Sequence, residues 1–372
     1  MNVEAPEFWR EQSLANNPTT VMVTAIGGGG HGEQILKALQ MVKAGRYRIV
    51  GADMNPNCPQ FALTDERIVL PPAATPDYID RLLEACSRFS VQVLFHGCEP
   101  ELRVFSQNRA RIESAGILLP INSAETIELC MNKLATMRFL RDRGFDPPKC
   151  WAVTSLSELD EIDSFPVILK PSVGSGGSAN VHIAQSPREL RLCAELLELK
   201  QPGVSFLIQE YVGTSDDEYT VGVLHDLDGQ FLNSVGLRRE IKSMLNIRLK
   251  EANKTGRSEL GPSLVISSGI SHGKIGPYPE VTRTCEAIAR ALGARGAINI
   301  QCRLVNGKVK VFEINPRFSG TTSIRAMMGY NEPDVLIRKH LLGETITPRF
   351  HYDSGVVMRT IAEHLIERSD GR

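Results

Sequence analysis

Between Thr19 and Asn122 the chain alternates short apolar runs with stretches of helical period, and no other feature narrows its fold as much. VMVTAI (21–26) reads as a buried strand, HGEQILKALQMVKAG (31–45) as an amphipathic helix and YRIVGAD (47–53) as a second strand. RIVLP (67–71) follows as a short strand, PDYIDRLLEACSRF (76–89) as a helix and VQVLFHG (91–97) as a strand. ELRVFSQNRARIESAG (101–116) is helical and ILLPIN (117–122) a short strand. Strand, helix, strand in this order predicts a parallel sheet covered on both faces, a Rossmann-like α/β domain.

The texture then changes. A helical pattern over 123–144 ends at Gly144 and the pair Pro147-Pro148. Beyond it, PVILKP (166–171), ANVHIA (179–184), SFLIQEYV (205–212), EYTVGVLHD (218–226) and QFLNSVGLRREIKS (230–243) read as strands. Short connections such as Leu227-Asp228-Gly229 and Asn306-Gly307-Lys308 predict antiparallel pairing, so the second half reads as α+β.

Composition closes other routes. Lys and Arg number 42 against 43 Asp and Glu, so no global field favours nucleic acid or an anionic membrane. No apolar stretch approaches the roughly 18 to 20 residues that span a bilayer. The opening MNVEAPEFWREQSLANNPTT lacks the basic start and apolar centre of a signal peptide and reads as a polar tail. The eight cysteines contain no CxxC pair, which argues against zinc and a disulfide framework and for a cytoplasmic setting.

Gly27, Gly29 and Gly32 satisfy G-x-G-x-x-G between a strand and a helix, with Asp53 ending the next strand. Alone this is a dinucleotide fingerprint, and its rival reading is a tight turn that needs glycine for packing. A second cluster carries more. Lys170 ends the apolar run PVILKP and leads into Ser172-Val173-Gly174-Ser175-Gly176-Gly177-Ser178, a flexible loop beside an ammonium that suits a polyphosphate. Lys133 is a candidate second phosphate contact. Gln209-Glu210-Tyr211-Val212 ends an apolar strand with groups able to read an adenine, and Glu218 opens the next strand with a carboxylate suited to ribose hydroxyls.

GAINIQCR (296–303) and KVKVFEINPR (308–317) read as hairpin partners. Period two places Asn299, Gln301 and Arg303 on one face, and Glu313 and Asn315 on one face of the partner. One carboxylate with amide oxygens suits Mg²⁺. Arg317 follows at once and is placed to hold a transferring phosphoryl group.

In this order the motifs resemble the ATP-grasp superfamily, above all its carbamoyl-phosphate-synthase-like branch, from about residue 19 to 365. The resemblance implies a polar tail (1–18), a pre-ATP-grasp Rossmann-like domain (19–122), an ATP-grasp N-terminal subdomain with a Gly/Ser lid (123–206) and a C-terminal subdomain with the adenine hinge and metal site (207–372). It implies ATP phosphates on Lys133, Lys170 and the Ser175, Gly176, Gly177 and Ser178 lid. Adenine would meet Glu210, Tyr211 and Val212, and ribose Glu218. Mg²⁺, with Mn²⁺ as substitute, would sit on Gln301, Glu313 and Asn315, with Lys170, Asn315 and Arg317 catalytic. Gly222 departs from the pattern, since an acidic residue often stands there, and residues 242–278 match no pattern and are assigned to the second substrate.

The implied chemistry is ATP-dependent ligation of a small, amino-acid-like carboxylate to an amine through an acylphosphate. The implied partners are those two small molecules, with no nucleic acid and no membrane; a homodimer is compatible with the resemblance. Arg239, Lys242 and Arg325 are candidate carboxylate anchors. The competing readings are an NAD(P)-dependent oxidoreductase built on the first glycine cluster and a non-catalytic ATP-binding regulator.

Overall fold

The computed structural model describes residues 18–363 apart from 154, 173–179 and 204, together with 365 and 366. Ser175, Gly176, Gly177 and Ser178 of the expected lid, and residues 1–17 of the polar tail, lie outside the described residues.

Strands β1 (Thr19–Val23), β2 (Tyr47–Asp53), β3 (Glu66–Val69) and β4 (Val93–Phe95) pair in parallel in the order β3-β2-β1-β4. Every residue of β1 is buried, as a strand covered on both faces requires. Helices α1 (His31–Gln40), α2 (Tyr78–Phe89), α3 (Glu99–Gln107) and α4 (Arg109–Ser114) accompany this sheet. The single helix expected over 101–116 is split at Asn108, which leaves helical geometry (φ −109°, ψ 17°). The strand expected at 117–122 reduces to one parallel bridge between Val93 and Leu118. Pro120, without an N–H, cannot extend that ladder.

The helical pattern over 123–144 forms two helices, α5 (Ala124–Met131) and α6 (Lys133–Asp142). Asn132 between them is extended, and its side chain accepts the Ala135 N–H at 3.0 Å, an N-cap that opens α6. That break puts Lys133 on the first residue of a helix. A small antiparallel sheet follows, β5 (Cys150–Val153), β6 (Val167–Pro171), β7 (His182–Ala184) and β8 (Phe206–Glu210), ordered β5-β8-β6-β7, with α7 (Pro187–Lys200) against it. The subdomain boundary expected between 206 and 207 falls inside β8.

β9 (Glu218–His225) and β10 (Phe231–Arg239) begin the larger sheet, and β11 (Ile247–Ala252) and β12 (Ser263–Ser267) form a separate hairpin. With β13 (Gly273–Gly276), β14 (Ala297–Val305), β15 (Lys308–Asn315) and β16 (Gly355–Val357), the large sheet is antiparallel in the order β15-β14-β9-β10-β13-β16. Helices α8 (Pro279–Ala291), α9 (Thr322–Ala326) and α10 (Glu332–His340) complete the described elements. Among the described residues no helix is long and apolar enough to cross a membrane.

Asn122 ties the parallel sheet's domain to the large sheet. Its Nδ2 donates to the Ala297 and Pro316 carbonyls (2.9 and 3.0 Å) and its Oδ1 accepts the Arg295 N–H (2.8 Å). The departure at Gly222 also finds its cause here. A Cβ on Gly222 would lie 2.4 Å from Arg325 Nη1 and 3.0 Å from Glu332 Oε1. Arg325 is 1% exposed, pairs with Glu332 and donates from Nη2 to Asn299 Oδ1 at 2.7 Å. Gly222→Ala is therefore expected to cost about 1–3 kcal/mol of unfolding free energy by overpacking. An unchanged denaturation midpoint would show that the guanidinium moves aside freely.

Candidate active site

One cavity lies between the small sheet, the β11–β12 hairpin and the large sheet. Lys133, Lys170, Glu210, Tyr211, Val212, Glu218, Gln301 and Glu313 all line it. Its apolar wall comes from Ile168, Val181, Val265, Ile266 and Phe312. A second cavity shares Lys133 and Glu313 with the first and adds Glu99, Asn315 and Arg317.

At the phosphate-like end, Lys170 is 5% exposed, and its Nζ donates to Gln209 Oε1 (2.9 Å) and the Phe312 carbonyl (3.3 Å). Burial pulls its pKa down; Glu313 opposes that and Lys133 adds to it. The Lys133 N–H donates to the Ser172 carbonyl at 3.0 Å, so α6 starts beside the end of β6.

At the opposite end, the Glu210 N–H donates to the Lys149 carbonyl and the Tyr211 N–H to the Pro166 carbonyl. Tyr211 is buried and faces β12: its Oη accepts the Val265 N–H at 2.8 Å, and Arg303 lies over its ring at 4.7 Å. Arg303 Nη1 donates to the Val212 carbonyl (3.1 Å). β12 is thus a wall of this cavity, so part of the 242–278 connection lines the same space as Lys170 and Glu313.

Glu218 is 1% exposed and fully engaged. Oε1 accepts from Arg239 Nη1 (2.8 Å) and Ser267 Oγ (2.6 Å), and Oε2 accepts from Arg303 Nε and Nη2 (3.1 and 2.9 Å). Four donors fill the four lone-pair positions of a carboxylate, so none is left for the expected ribose.

The β14–β15 register sets Gln301 opposite Glu313 and Asn299 opposite Asn315, with a bulge after Gln301. Asn315 Nδ2 donates to Glu313 Oε1 at 3.1 Å. The Glu313 carboxylate with the Gln301 amide opposite it offers hard oxygens that fit Mg²⁺, while Asn315 turns its Nδ2 to Glu313 and its Oδ1 to Arg317. Asn299 Oδ1 is instead taken by Thr220 and Arg325. Arg317 Nη2 donates to Asn315 Oδ1 (3.1 Å) and to Glu99 Oε1 (2.8 Å). Burial raises the pKa of Glu99, but Arg317 and Lys133 outweigh it and hold the carboxyl below its usual range. Glu99 was missed in the sequence, although an acidic residue just past the end of a parallel strand sits where such sheets bind ligands. Beside it, His31 Nε2 lies 3.2 Å from His96 Nδ1; burial and Arg317 hold both rings neutral, with the His96 pKa lowered to about 3.

The three candidate anchors do not converge. Arg239 is spent on Glu218, Ser267 and the Ser268 carbonyl. Arg325 is interior behind β9, and Lys242 is exposed and lines neither cavity. The first glycine cluster shapes a tight turn, and Gly27, Gly28 and Asp53 line a separate cavity. Asp53 accepts the Gly27 and Asn55 N–H groups (2.8 and 2.9 Å), Gly28 and Gly29 have φ of 74°, and a Cβ on Gly32 would lie 2.4 Å from the Ala25 carbonyl oxygen.

Comparison with known proteins bears on the fold. Residues 25–120 match the PylC-like N-terminal domain, and residues 268–363 match the family described as ATP-grasp in the biosynthetic pathway with Ter operon. The carbamoyl phosphate synthase large chain of Halobacterium salinarum is 26% identical over 313 residues, 80% of this chain but only 28% of that protein's length. N5-carboxyaminoimidazole synthetase of Staphylococcus aureus with ADP superposes with a TM-score of 0.61 at 15% identity, covering 92% of this chain and 81% of that one. The L-amino acid ligase of Bacillus licheniformis gives 0.60 at 14% identity, covering 90% and 78%. The fold is the ATP-grasp fold behind a PylC-like N-terminal domain. Within it, the chain is similar to carbamoyl phosphate synthase large chains over about a quarter of their length.

The engagement of Glu218 gives a stability signature. Burial raises its pKa, but Arg239 and Arg303 override that and depress it. A depressed pKa gives stability that is full above the ordinary carboxylate value of about 4.3 and is lost as pH falls through the folded value. Glu218→Gln should cost about 3–5 kcal/mol at pH 7, because two buried guanidinium groups lose their counter-charge. That deficit should narrow in denaturation curves taken below about pH 4, and a deficit independent of pH would show that charge is not its source.

Proposed function

We propose that this chain is an ATP- and Mg²⁺-dependent ligase that joins a small carboxylate to an amine through an acylphosphate. The observation that carries the reading is that Lys133, Lys170, Gln301 and Glu313 line one cavity together with an apolar wall, while Asn315 and Arg317 line a second cavity that shares Lys133 and Glu313 with it. The adenine would lie between Ile168, Val181 and Val265, reading the Glu210 carbonyl and the Val212 N–H. Lys133 and Lys170 would neutralise the phosphates. Glu313, Asn315 and Gln301 would hold Mg²⁺, which when bound neutralises phosphate charge, and Mn²⁺ would substitute because it accepts the same octahedral oxygen set.

A substrate carboxylate oxygen attacks the γ-phosphorus and ADP leaves. An amine then attacks the acyl carbon, phosphate departs and the nitrogen loses a proton. A carboxylate oxygen is a poor leaving group and phosphate a good one, so positioning and charge neutralisation do most of what is required. Arg317, held by Glu99 and Asn315, would stabilise the phosphoryl group in transit. Glu99, beside it in the second cavity, would take the ammonium of the acceptor. Glu218 enters as the anchor of Arg239 and Arg303 rather than as a ribose ligand. The oxidoreductase reading would rest on Asp53, each of whose oxygens already accepts one backbone N–H.

MgATP at a hundred times its dissociation constant should add about 2.7 kcal/mol of apparent stability, seen as a raised melting temperature, whereas NAD(H) and NADP(H) should add nothing. The reverse pattern would overturn the proposal. Glu313→Gln should abolish phosphate release while leaving the ligand-free melting temperature unchanged, because Glu313 is partly exposed and forms no ion pair among the described contacts. Unaltered release would remove it from the metal site.

A further inference from the structure

After β16 the chain leaves the edge of the large sheet, and Arg359 enters a group of acceptors drawn from three distant segments. Its Nε donates to the Ser271 carbonyl (2.9 Å) and Nη1 to Gln34 Oε1 (2.8 Å). Nη2 donates to the Gly320 carbonyl and to Ser323 Oγ (3.4 Å). Gln34 belongs to α1 of the N-terminal domain and is 1% exposed; its Oε1 also accepts from Ser323 Oγ at 2.5 Å. Ser271 lies in the β12–β13 connection, and Gly320 and Ser323 follow Arg317 in the chain.

The segment 318–323 holds its own shape. The Ser319 N–H donates to Thr322 Oγ1 (3.1 Å), and the Ser319 and Thr321 hydroxyls are 2.6 Å apart. The N-terminal domain holds it at three points, through Glu99 on Arg317, through the Phe95 ring 5.4 Å from that of Phe318, and through Gln34 on Ser323. Arg359 locks the last of these. A planar guanidinium fork can serve all three segments at once, which a point-like ammonium cannot.

We propose that Arg359 is a positioning residue: it seats the 318–323 segment against α1 and so fixes where Arg317 stands relative to the transferred phosphoryl group. The proposal rests on the ligase reading above. Arg359 acts through protein acceptors and touches no substrate, so its loss acts on turnover and leaves nucleotide binding intact.

The test uses the full chain with MgATP as probe, in Arg359→Ala, Arg359→Lys, Gln34→Ala and the Arg359→Ala/Gln34→Ala double variant. Three quantities are read: MgATP affinity by thermal shift, phosphate release across a panel of carboxylates and amines, and amide exchange of residues 318–323. Arg359→Ala should speed exchange of 318–323 and lower kcat by about tenfold or more, with MgATP affinity within about twofold of the parent. Arg359→Lys, which keeps the charge and loses the fork, should remain folded and still lose several-fold in kcat. The loss in the double variant should fall well short of the product of the two single losses, because both residues hold Ser323. Unchanged exchange, a parallel loss of MgATP affinity, or effects that multiply in the double variant would each overturn the proposal. If the parent neither binds nor turns over MgATP, the ligase reading fails, and amide exchange still decides whether Arg359 seats the segment.

Discussion

One buried carboxylate organises the centre of the molecule. Glu218 begins β9 and is held by Arg239 at the end of β10, Arg303 in β14 and Ser267 at the end of β12. A charge at this depth would be costly alone, but two guanidinium groups and a hydroxyl satisfy every lone pair it has. The consequences spread outward. Arg303 uses its remaining donors on the Val212 and Val265 carbonyls, which ties the hinge after β8 and the wall strand β12 to the large sheet. The cavity therefore exists because one ion cluster holds its floor, hinge and wall in register.

The other end depends on the N-terminal domain. Asn122 bonds the carbonyls of Ala297 and Pro316, and Glu99 reaches across to Arg317. The second cavity is thus shared between domains, and neither alone contains both Arg317 and its carboxylate partner. This gives the parallel domain a role that its glycines do not show. Its fingerprint loop shapes a tight turn, while the residues after β4 reach the site.

Much of this was legible in the chain. Period two along 299–303 and 313–315 gave the shared faces of a hairpin, and the register then sets Gln301 opposite Glu313. Lys170 was legible as a lysine at the end of an apolar strand. The partners of Glu218 were not: Arg239 lies 21 residues away and Arg303 lies 85, and neither spacing carries a local signal. The same holds for Arg325. Its charge suggested a substrate contact, and only the packing over Gly222 shows it to be interior. Helix breaks at Asn108 and Asn132 were hidden because helical periodicity continues across a cap. The sequence placed polar residues where the backbone dictates their neighbours, and could not place them where tertiary pairing does.

Around the phosphate end stand three cations, Lys133, Lys170 and Arg317, and two carboxylates, Glu99 and Glu313. This set is nearly self-neutralising, yet unevenly arranged. Arg317 is paired with a carboxylate of the other domain, whereas the described hydrogen bonds of Lys170 go to neutral oxygens, those of Gln209 and Phe312. A cation solvated only by amide dipoles is held less firmly than one in an ion pair, and burial already lowers the pKa of Lys170. A polyanion entering the cavity would add to the charge of Glu313, which already offsets part of the burial of Lys170. Arg317 would gain less, since it must share itself with Glu99. The asymmetry suits a lysine that binds phosphate in the ground state and an arginine that responds as charge moves toward the second cavity.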